Sequence, residues 1–218
     1  MLKTLIINGN PKRRSFCRAL AQSYADGATD AGADVQVVHI GDVVFDPNLK
    51  AGYDEPQHLE PDLVAVTEAI RVAEHIVVIT PTWWGGMPAQ LKGLFDRILL
   101  PGVAFAFESG KAFPRRLLAG RTARLIVTAN APVWYHRWVS GDPVVKVLGR
   151  LILAFCGVAV SAVSRFGPVK GSADSVRATW LRAVHAAAIR DVAGQTRRST
   201  RSRAAVDHRA CRGRCLLW

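Results

Sequence analysis

The stretch that decides the fold is IVVITPTWWGGMPAQLKGLFDRILL, residues 76–100. Its first five residues form a run that is apolar on both faces, which is typical of a central strand in a parallel sheet. Its second half carries one apolar stripe at helical spacing, formed by Leu91, Leu94, Phe95, Ile98 and Leu99. Pro88 precedes the stripe, where a helix start tolerates a missing N–H. The stretch therefore predicts a buried strand, a turn and a helix.

The same alternation of strands and helices continues on both sides of this stretch. The other predicted strands lie at residues 2–8, 35–40, 124–128 and 158–166. One further helix is predicted to start at Ser15. The others are predicted at residues 62–74, 144–155 and 172–192. We expect an α/β fold with a doubly wound five-stranded parallel sheet in the flavodoxin-like order 2-1-3-4-5. Ligands of such sheets bind at the carboxyl ends of the strands, so the turns after strands one, three and four are the candidate site.

Three segments between these elements have no regular pattern. Residues 42–57 contain Pro47, Gly52 and Pro56, and we expect an irregular connection over the surface. Residues 103–107 are short and extended, and residues 130–143 form a predicted loop rich in Trp, Tyr and His.

The charge of the chain is concentrated at its end. The formal net charge is +12 over 218 residues, which suits a nucleic-acid-binding protein. Half of that excess lies in residues 195–218, where seven arginines face one aspartate. We therefore predict one folded domain at residues 1–194 and a disordered Arg-rich tail at residues 195–218, with no specific nucleic-acid partner. An alternative hypothesis is a basic arm that binds nucleic acid or acidic lipid.

Cysteine spacing and hydropathy exclude several classes of protein. The four cysteines form neither a disulfide framework nor a C-x-x-C pair, so no metal site is expected. The N-terminus lacks a signal-peptide cleavage site, and the longest apolar run, between Arg150 and Arg165, is shorter than the roughly 20 residues that span a membrane. We expect no membrane span and a cytoplasmic location.

The three turns offer complementary chemistry. In the first, Ser15 caps a helix whose free amides and dipole favour a phosphate. In the second, Trp83 and Trp84 precede two glycines, so that aromatic rings and exposed amides suit the face and polar edge of a planar heterocycle. In the third, small residues precede Tyr135 and His136, and either side chain can donate a proton. Each turn taken alone also fits a structural role. Ser15 could simply cap its helix, the two tryptophans could pack in the core or in a dimer interface, and Tyr135 and His136 could be structural rather than catalytic.

The residues of these turns resemble the NAD(P)H:quinone oxidoreductase (DT-diaphorase-like) family of flavodoxin-fold proteins. The most specific block is W-W-G-x-x-P-A-x-L-K-G-x-x-D-R at residues 83–97. Weaker matches lie in the first turn and at residues 101–105, 134–135 and 155–157, and the similarity follows the chain from about residue 1 to residue 190.

The resemblance implies an enzyme: a homodimer that holds FMN or FAD non-covalently and passes two electrons from NAD(P)H to a quinone or similar acceptor. The implied flavin contacts are Asn10, Ser15, Phe16, Cys17, Pro81, Thr82, Trp83, Trp84, Gly85, Thr128, Ala129, Asn130 and Ala131. The implied active-site tyrosine is Tyr135, and His136 is the nearby candidate acid.

The chain departs from the family pattern at four places. Asn10 replaces a histidine, Cys17 an asparagine, and Asn130-Ala131 a Gly-Gly pair. Ser140 stands where the family has a catalytic histidine before Gly-Asp, so either His136 or Ser140 is left for that role. A non-enzymatic flavodoxin-like carrier or regulatory subunit is the alternative function, although a carrier for basic redox partners is expected to be acidic.

Overall fold

The computed structural model describes the backbone of residues 1–214 and the side chains of residues 1–197. The described residues form these strands: β1 (Lys3–Asn8), β2 (Asp34–His39), β3 (His75–Pro81), β4 (Phe105–Ala106), β5 (Arg115–Arg116), β6 (Thr122–Thr128) and β7 (Ala159–Phe166). Five of them make one parallel sheet in the order β2-β1-β3-β6-β7. This confirms the predicted order 2-1-3-4-5.

The register of the three central strands brings their carboxyl ends to one edge. Asn8 of β1 pairs with Ile79 of β3, and Pro81 at the end of β3 pairs with Thr128 at the end of β6. The chain therefore leaves all three strands at the same side of the sheet, as a doubly wound topology requires.

Helices cover both faces of the sheet. They are α1 (Phe16–Asp30), α2 (Pro61–Val72), α3 (Ala89–Ile98), α4 (Pro143–Val145), α5 (Ala154–Cys156) and α6 (Asp174–Arg214). A 3₁₀ helix spans Ile40–Asp42, and π-helices span Tyr135–Val139 and Lys146–Leu153. One core cluster joins α1 and α6 to the sheet, and the other joins α2, α3 and the helical segment from Pro143 to Cys156.

The best-defined helix agrees with its sequence pattern. All five residues of the predicted stripe in and after α3 are buried, and Pro88 is the N-cap residue. Burial of an aliphatic or aromatic side chain contributes about 1.5–3 kcal/mol, so this stripe supplies much of the packing on that face.

One local prediction was wrong in part, and two others are confirmed with added detail. Residues 130–143 are not wholly irregular, because Tyr135–Val139 forms a π-helix. The helix predicted at residues 144–155 is π-helical over Lys146–Leu153. The extended segment at residues 103–107 contributes β4, which pairs antiparallel with β5, a strand that was not predicted. These short elements carry too few residues for a periodic signal.

A buried arginine fastens the long connection after β2. The Arg97 guanidinium is fully buried and donates to the backbone oxygens of Asp46 and His58, the latter at 2.7 Å. It also pairs with the Glu60 carboxylate at 2.8 Å. The hydrogen bond from the Asp46 amide and the one from Arg97 lower the pKa of Glu60 to about 2. The predicted surface connection is thus tied to α3 at both ends.

A second polar network holds α6 against the amino ends of β3 and β6. The buried Tyr24 hydroxyl donates to the Asp191 carboxylate at 2.7 Å and lies 3.1 Å from the His75 ring. The Arg124 guanidinium donates two hydrogen bonds to the same carboxylate. The His75 Nδ1 atom also lies 2.8 Å from the Thr122 hydroxyl. Burial alone would raise the pKa of Asp191, but the hydrogen bonds from its neighbours outweigh burial and hold that pKa below its usual value.

The last helix was predicted to end at Val192, but α6 continues to Arg214. The segment lacks proline and is rich in arginine and alanine, both good helix formers, which accounts for this continuation. The side chains of residues 198–218 lie outside the described residues. The division of the chain at residue 194 into a domain and a disordered tail stays a prediction. No helix in the described part of the chain is long and apolar enough to cross a membrane.

Candidate functional site

The turns after β1, β3 and β6 are joined to one another by hydrogen bonds. The Gly9 amide donates to the Ile79 carbonyl at 2.7 Å, which links the first turn to β3. The Thr82 amide donates to the Thr128 carbonyl at 2.8 Å, which links the third-strand turn to β6. The Cys17 thiol lies 3.4 Å from the Thr128 hydroxyl and links the start of α1 to β6. The three predicted turns therefore meet at one edge of the sheet.

The first turn is shaped by its own polar side chains. The Asn8 side-chain oxygen accepts from the Asn10 amide at 3.2 Å, and the Asn10 side-chain oxygen accepts from the Lys12 amide at 3.0 Å. The Ser15 hydroxyl accepts from the Arg18 amide at 3.3 Å, so Ser15 is the helix cap. These bonds direct the chain into α1 with its amino end at the site.

Basic side chains outnumber acidic ones beside this turn. Arg13 and Arg18 both pair with Asp42 at 3.0 Å, so two guanidinium groups share one carboxylate. Arg14 is exposed and makes no ion pair among residues 1–197. The excess positive charge and the helix dipole both favour an anion here.

The side chains of Phe16 and Cys17 point into the packing of the domain. The Phe16 ring centroid lies 5.8 Å from that of Trp180 on α6. Cys17 is buried, and burial raises the pKa of its thiol. Both residues thus use their side chains to join α1 to neighbouring elements.

The turn after β3 presents two tryptophans on a tight backbone loop. Trp83 and Gly86 exchange backbone hydrogen bonds of 2.9 Å in both directions. The two residues between them have positive φ, 51° at Trp84 and 76° at Gly85, as in a type I′ turn. The Trp84 side chain is fully exposed and Trp83 is about half exposed. A tryptophan rarely adopts this backbone conformation, so the fold holds Trp84 outward at a cost.

Unpaired backbone donors lie beside these rings. Among the described residues, no acceptor is found for the amides of Trp84, Gly85, Asn130 and Ala131. Flavins combine a planar apolar face with a polar edge of carbonyl and ring-nitrogen acceptors. Exposed indoles and free amides at adjoining turns fit both parts of such a group.

The turn after β6 is fixed from the side of β7. The Ala129 amide donates to the Phe166 carbonyl at 3.0 Å, and the Ala129 carbonyl accepts from the Val169 amide at 2.9 Å. The Asn130 side-chain oxygen accepts from the Lys170 amide at 3.1 Å. The Asn130 side chain therefore faces the loop after β7.

A narrow crevice opens between the turn after β3 and the turn after β6. Its walls include Thr82, Ala129, His136, Asp142 and Arg165, and it holds about 10 Å³. That volume admits roughly one water molecule, so a planar heterocycle would lie across the mouth of the crevice.

Tyr135 and His136 differ in their surroundings. The His136 ring lines the crevice, whereas Tyr135 is exposed and stacks edge-on between Trp134 and His136, at centroid distances of 5.9 and 6.2 Å. Neither ring has a hydrogen-bond partner within the described part of the chain. Ser140 is exposed and donates its amide to the Tyr135 carbonyl at 2.9 Å. Of the two candidates for the missing histidine, only His136 lines the crevice.

Asp142 and Arg165 are site residues that sequence reasoning missed. The Arg165 Nε atom donates to the Asp142 carboxylate at 2.9 Å, and the Asp142 amide donates to the His136 carbonyl at 2.8 Å. Asp142 has a φ of 56°, a strained conformation for a non-glycine residue. The signal that could have revealed this pair is an arginine next to the carboxyl end of β7. Within residues 1–197 no group of His, Cys, Asp and Glu side chains is placed to hold a metal ion.

The comparison with known proteins agrees with this architecture. A model of the flavodoxin-like fold family matches residues 2–192. The chain belongs to this family. It is 27% identical over 187 residues to a protein of Haemophilus influenzae named an uncharacterized NAD(P)H oxidoreductase, which covers 81% of this chain and 89% of that protein.

Two solved structures resemble this flavodoxin-like chain. The NAD(P)H:quinone oxidoreductase from Methanothermobacter marburgensis has a TM-score of 0.72 at 23% identity, covering 85% of this chain and 96% of that one. An FMN-dependent NADH-azoreductase from Bacillus anthracis, solved with FMN, has a TM-score of 0.63 at 16% identity, covering 89% and 99%. The predicted resemblance to NAD(P)H:quinone oxidoreductases and the prediction of an enzyme are confirmed.

Proposed function

We propose that this flavodoxin-like protein is a flavin-dependent NAD(P)H oxidoreductase that reduces a quinone or a similar acceptor by two electrons. Bound FMN or FAD would supply the redox chemistry, by accepting a hydride from NAD(P)H and returning both electrons to the acceptor. The relatives named above support a flavin and a nicotinamide donor. The protein's own contribution is to bind, orient and exclude water. Its location in the cytoplasm stays a prediction.

One observation carries this proposal: three turns with complementary donors meet at one edge of the sheet. The Thr82–Thr128 and Gly9–Ile79 hydrogen bonds, at 2.8 and 2.7 Å, hold the turns together. Free amides at Trp84 and in the β6 turn belong to turns that meet at this edge. This is the position at which doubly wound sheets bind their ligands.

Each turn has a distinct task in the proposed complex. The amides of Gly85 and Ala131 would donate to the polar edge of the flavin, while the Trp84 indole covers ring surface. The amino end of α1 and the basic side chains near Ser15 would hold the flavin phosphate, because dipole and charge both favour an anion there.

Proton supply falls to the two aromatic residues at the crevice. The His136 ring lines the crevice and the Tyr135 hydroxyl has no hydrogen-bond partner among residues 1–197. In our proposal His136 donates a proton to the reduced acceptor, and Tyr135 stabilises the negative charge that develops on the acceptor oxygen.

We also propose that the protein is a homodimer. Phe105 lies at centroid distances of 5.4 Å from Phe107 and 5.1 Å from Phe155, and both neighbours are exposed. With Tyr53, which is also exposed, Phe105 and Phe155 border a groove of about 240 Å³. An exposed aromatic surface of this kind is typical of an interface, and a second copy of the chain is the proposed occupant. Light scattering at several protein concentrations tests this: a monomer at all of them would overturn it.

The cofactor and the reaction can be tested together. The purified protein is heated, and the released cofactor is identified by mass as FMN or FAD. The native protein is then titrated anaerobically with NADPH and NADH, and we expect the flavin absorbance near 450 nm to bleach and to return when a quinone is added. A colourless protein that binds neither FMN nor FAD on reconstitution would refute the proposal. Flavin that is bound but not reduced by either donor would favour the electron-carrier alternative.

The proposed proton donor has a matched pair of variants. His136→Gln removes the acid and keeps a polar side chain of similar size, whereas Ser140→Ala alters a residue that does not line the crevice. We expect His136→Gln to slow quinone turnover about 10²-fold, as loss of a general acid does, and Ser140→Ala to leave turnover unchanged. The opposite result would assign the role to Ser140.

A further inference from the structure

A second groove lies next to the crevice, on the other side of the ion pair between Asp142 and Arg165. Both residues of this pair line both cavities. The groove holds about 400 Å³, much more than the crevice, and its floor and walls come from the π-helix and β7. A ligand that lies across the mouth of the crevice is therefore separated from the groove by one pair of side chains.

The groove carries excess positive charge. Lys146, Arg150 and Arg165 line it, and Asp142 is its one carboxylate. That carboxylate is already paired with Arg165. Neither Lys146 nor Arg150 has an ion-pair partner among residues 1–197. Two positive charges in the groove are thus left without a protein anion.

The backbone brings these two cations together. Lys146 and Arg150 lie on the same π-helix, Lys146–Leu153, four residues apart, and both line the same groove. The Lys146 ammonium lies 3.2 Å from the position that a Cβ atom would take at Gly141, whose φ is 72°. It therefore lies against the turn that leads to Asp142, at the end of the groove next to the crevice. π-helical turns often occur at functional sites.

We propose that this groove binds a phosphate group of the nicotinamide dinucleotide. The inference rests on the proposed function, because the nicotinamide must then lie at the flavin. Lysine and arginine together are typical of phosphate sites, since both donate charge-assisted hydrogen bonds to phosphate oxygens. The dinucleotide carries two kinds of phosphate that could bind here: the pyrophosphate, which NADH and NADPH share, and the 2′-phosphate, which only NADPH has.

The test compares two variants that each remove two positive charges. Lys146→Ala/Arg150→Ala neutralises the groove, and Arg182→Ala/Arg190→Ala is the control on α6, which packs on the opposite face of the sheet. All four side chains are exposed, so neither variant disturbs the core. Binding of 5′-ADP, a probe for the pyrophosphate, and of 2′-AMP, a probe for the 2′-phosphate, is measured by calorimetry on the full chain.

We expect the groove variant to bind at least one probe about tenfold more weakly than the wild type, and the control to bind both as the wild type does. Weaker 5′-ADP binding supports the pyrophosphate as the ligand, and weaker binding of 2′-AMP alone supports the 2′-phosphate. No change in the groove variant, an equal loss in the control, or no binding by the wild type would overturn the inference. Calorimetry needs no flavin turnover. If nucleotide binding is lost in the groove variant of a chain that holds no flavin, the groove stands and the proposed function fails.

Discussion

Replacing Trp84 by glycine should move protein stability and flavin affinity in opposite directions. The Trp84 side chain is fully exposed, so its removal takes no packing from the flavin-free protein. Its backbone has a φ of 51°, which glycine adopts freely and tryptophan does not. A structural tryptophan would behave differently, because its loss would leave a cavity.

The magnitudes follow from these two observations. A non-glycine residue in the left-handed region costs about 1–2 kcal/mol, and the greater freedom of glycine in the unfolded chain offsets part of that gain. We expect a net stabilisation of about 1 kcal/mol, which raises the melting temperature by about 2–4 °C for a protein of this size. Loss of an aromatic contact of about 1.5 kcal/mol with the flavin ring weakens flavin binding roughly tenfold.

Two measurements and one further variant test this reasoning. Thermal unfolding of the flavin-free protein is followed by circular dichroism at several protein concentrations, and FMN binding by quenching of flavin fluorescence. Trp84→Ala keeps a non-glycine residue at positive φ and removes the ring, so it should weaken FMN binding without raising the melting temperature. A lower melting temperature for Trp84→Gly would show that the indole packs against protein. Unchanged FMN affinity in both variants would refute its place against the flavin.

Three further changes probe the scaffold that holds the site. Arg97→Met removes the buried guanidinium that ties down the connection after β2 and should destabilise the protein by about 3 kcal/mol in urea unfolding, whereas Arg71→Met at an exposed pair should have little effect. Gly27→Ala would place a Cβ atom 2.4 Å from a backbone oxygen of α6 and should cost about 2 kcal/mol, whereas Gly194→Ala meets no atom within 4 Å and should not destabilise. The pKa of the Asp191 carboxyl is lower in the folded protein than in the unfolded chain. The ionised carboxylate therefore stabilises the folded protein at pH values above its unfolded pKa of about 3.9, and this stabilisation is lost as the pH falls through the folded pKa. The stability difference between wild type and Asp191→Asn should therefore be largest at neutral pH and shrink below about pH 4; a difference that grows toward acid would contradict this sign.

The strand order and the location of the candidate site were predictable from local pattern. Runs such as residues 76–80 are buried on both faces of a sheet, and only an apolar sequence tolerates that. The helix after them shows its stripe because one face alone is buried. Parallel strands joined by right-handed crossovers leave few topologies, and these place the turns at one edge.

The roles of individual side chains were harder to predict. Phe16 and Cys17 match flavin contacts of the family by position, yet their side chains pack against α6 and β6. Which way a residue at the start of a helix faces depends on the elements packed around it, and these are distant in sequence. Asp142 and Arg165 were missed for the same reason: they are 23 residues apart and meet across a turn and a strand end.

Sequence by itself therefore determined the alternation of elements, the sheet order and the three turns, because hydrophobic periodicity and turn residues act over a few neighbours. Tertiary structure alone decided which amides remain unpaired, that Trp84 stands fully exposed, and that two cations share a groove beside the crevice. These properties depend on distances between segments that only the packed sheet brings together, and no local pattern encodes such distances.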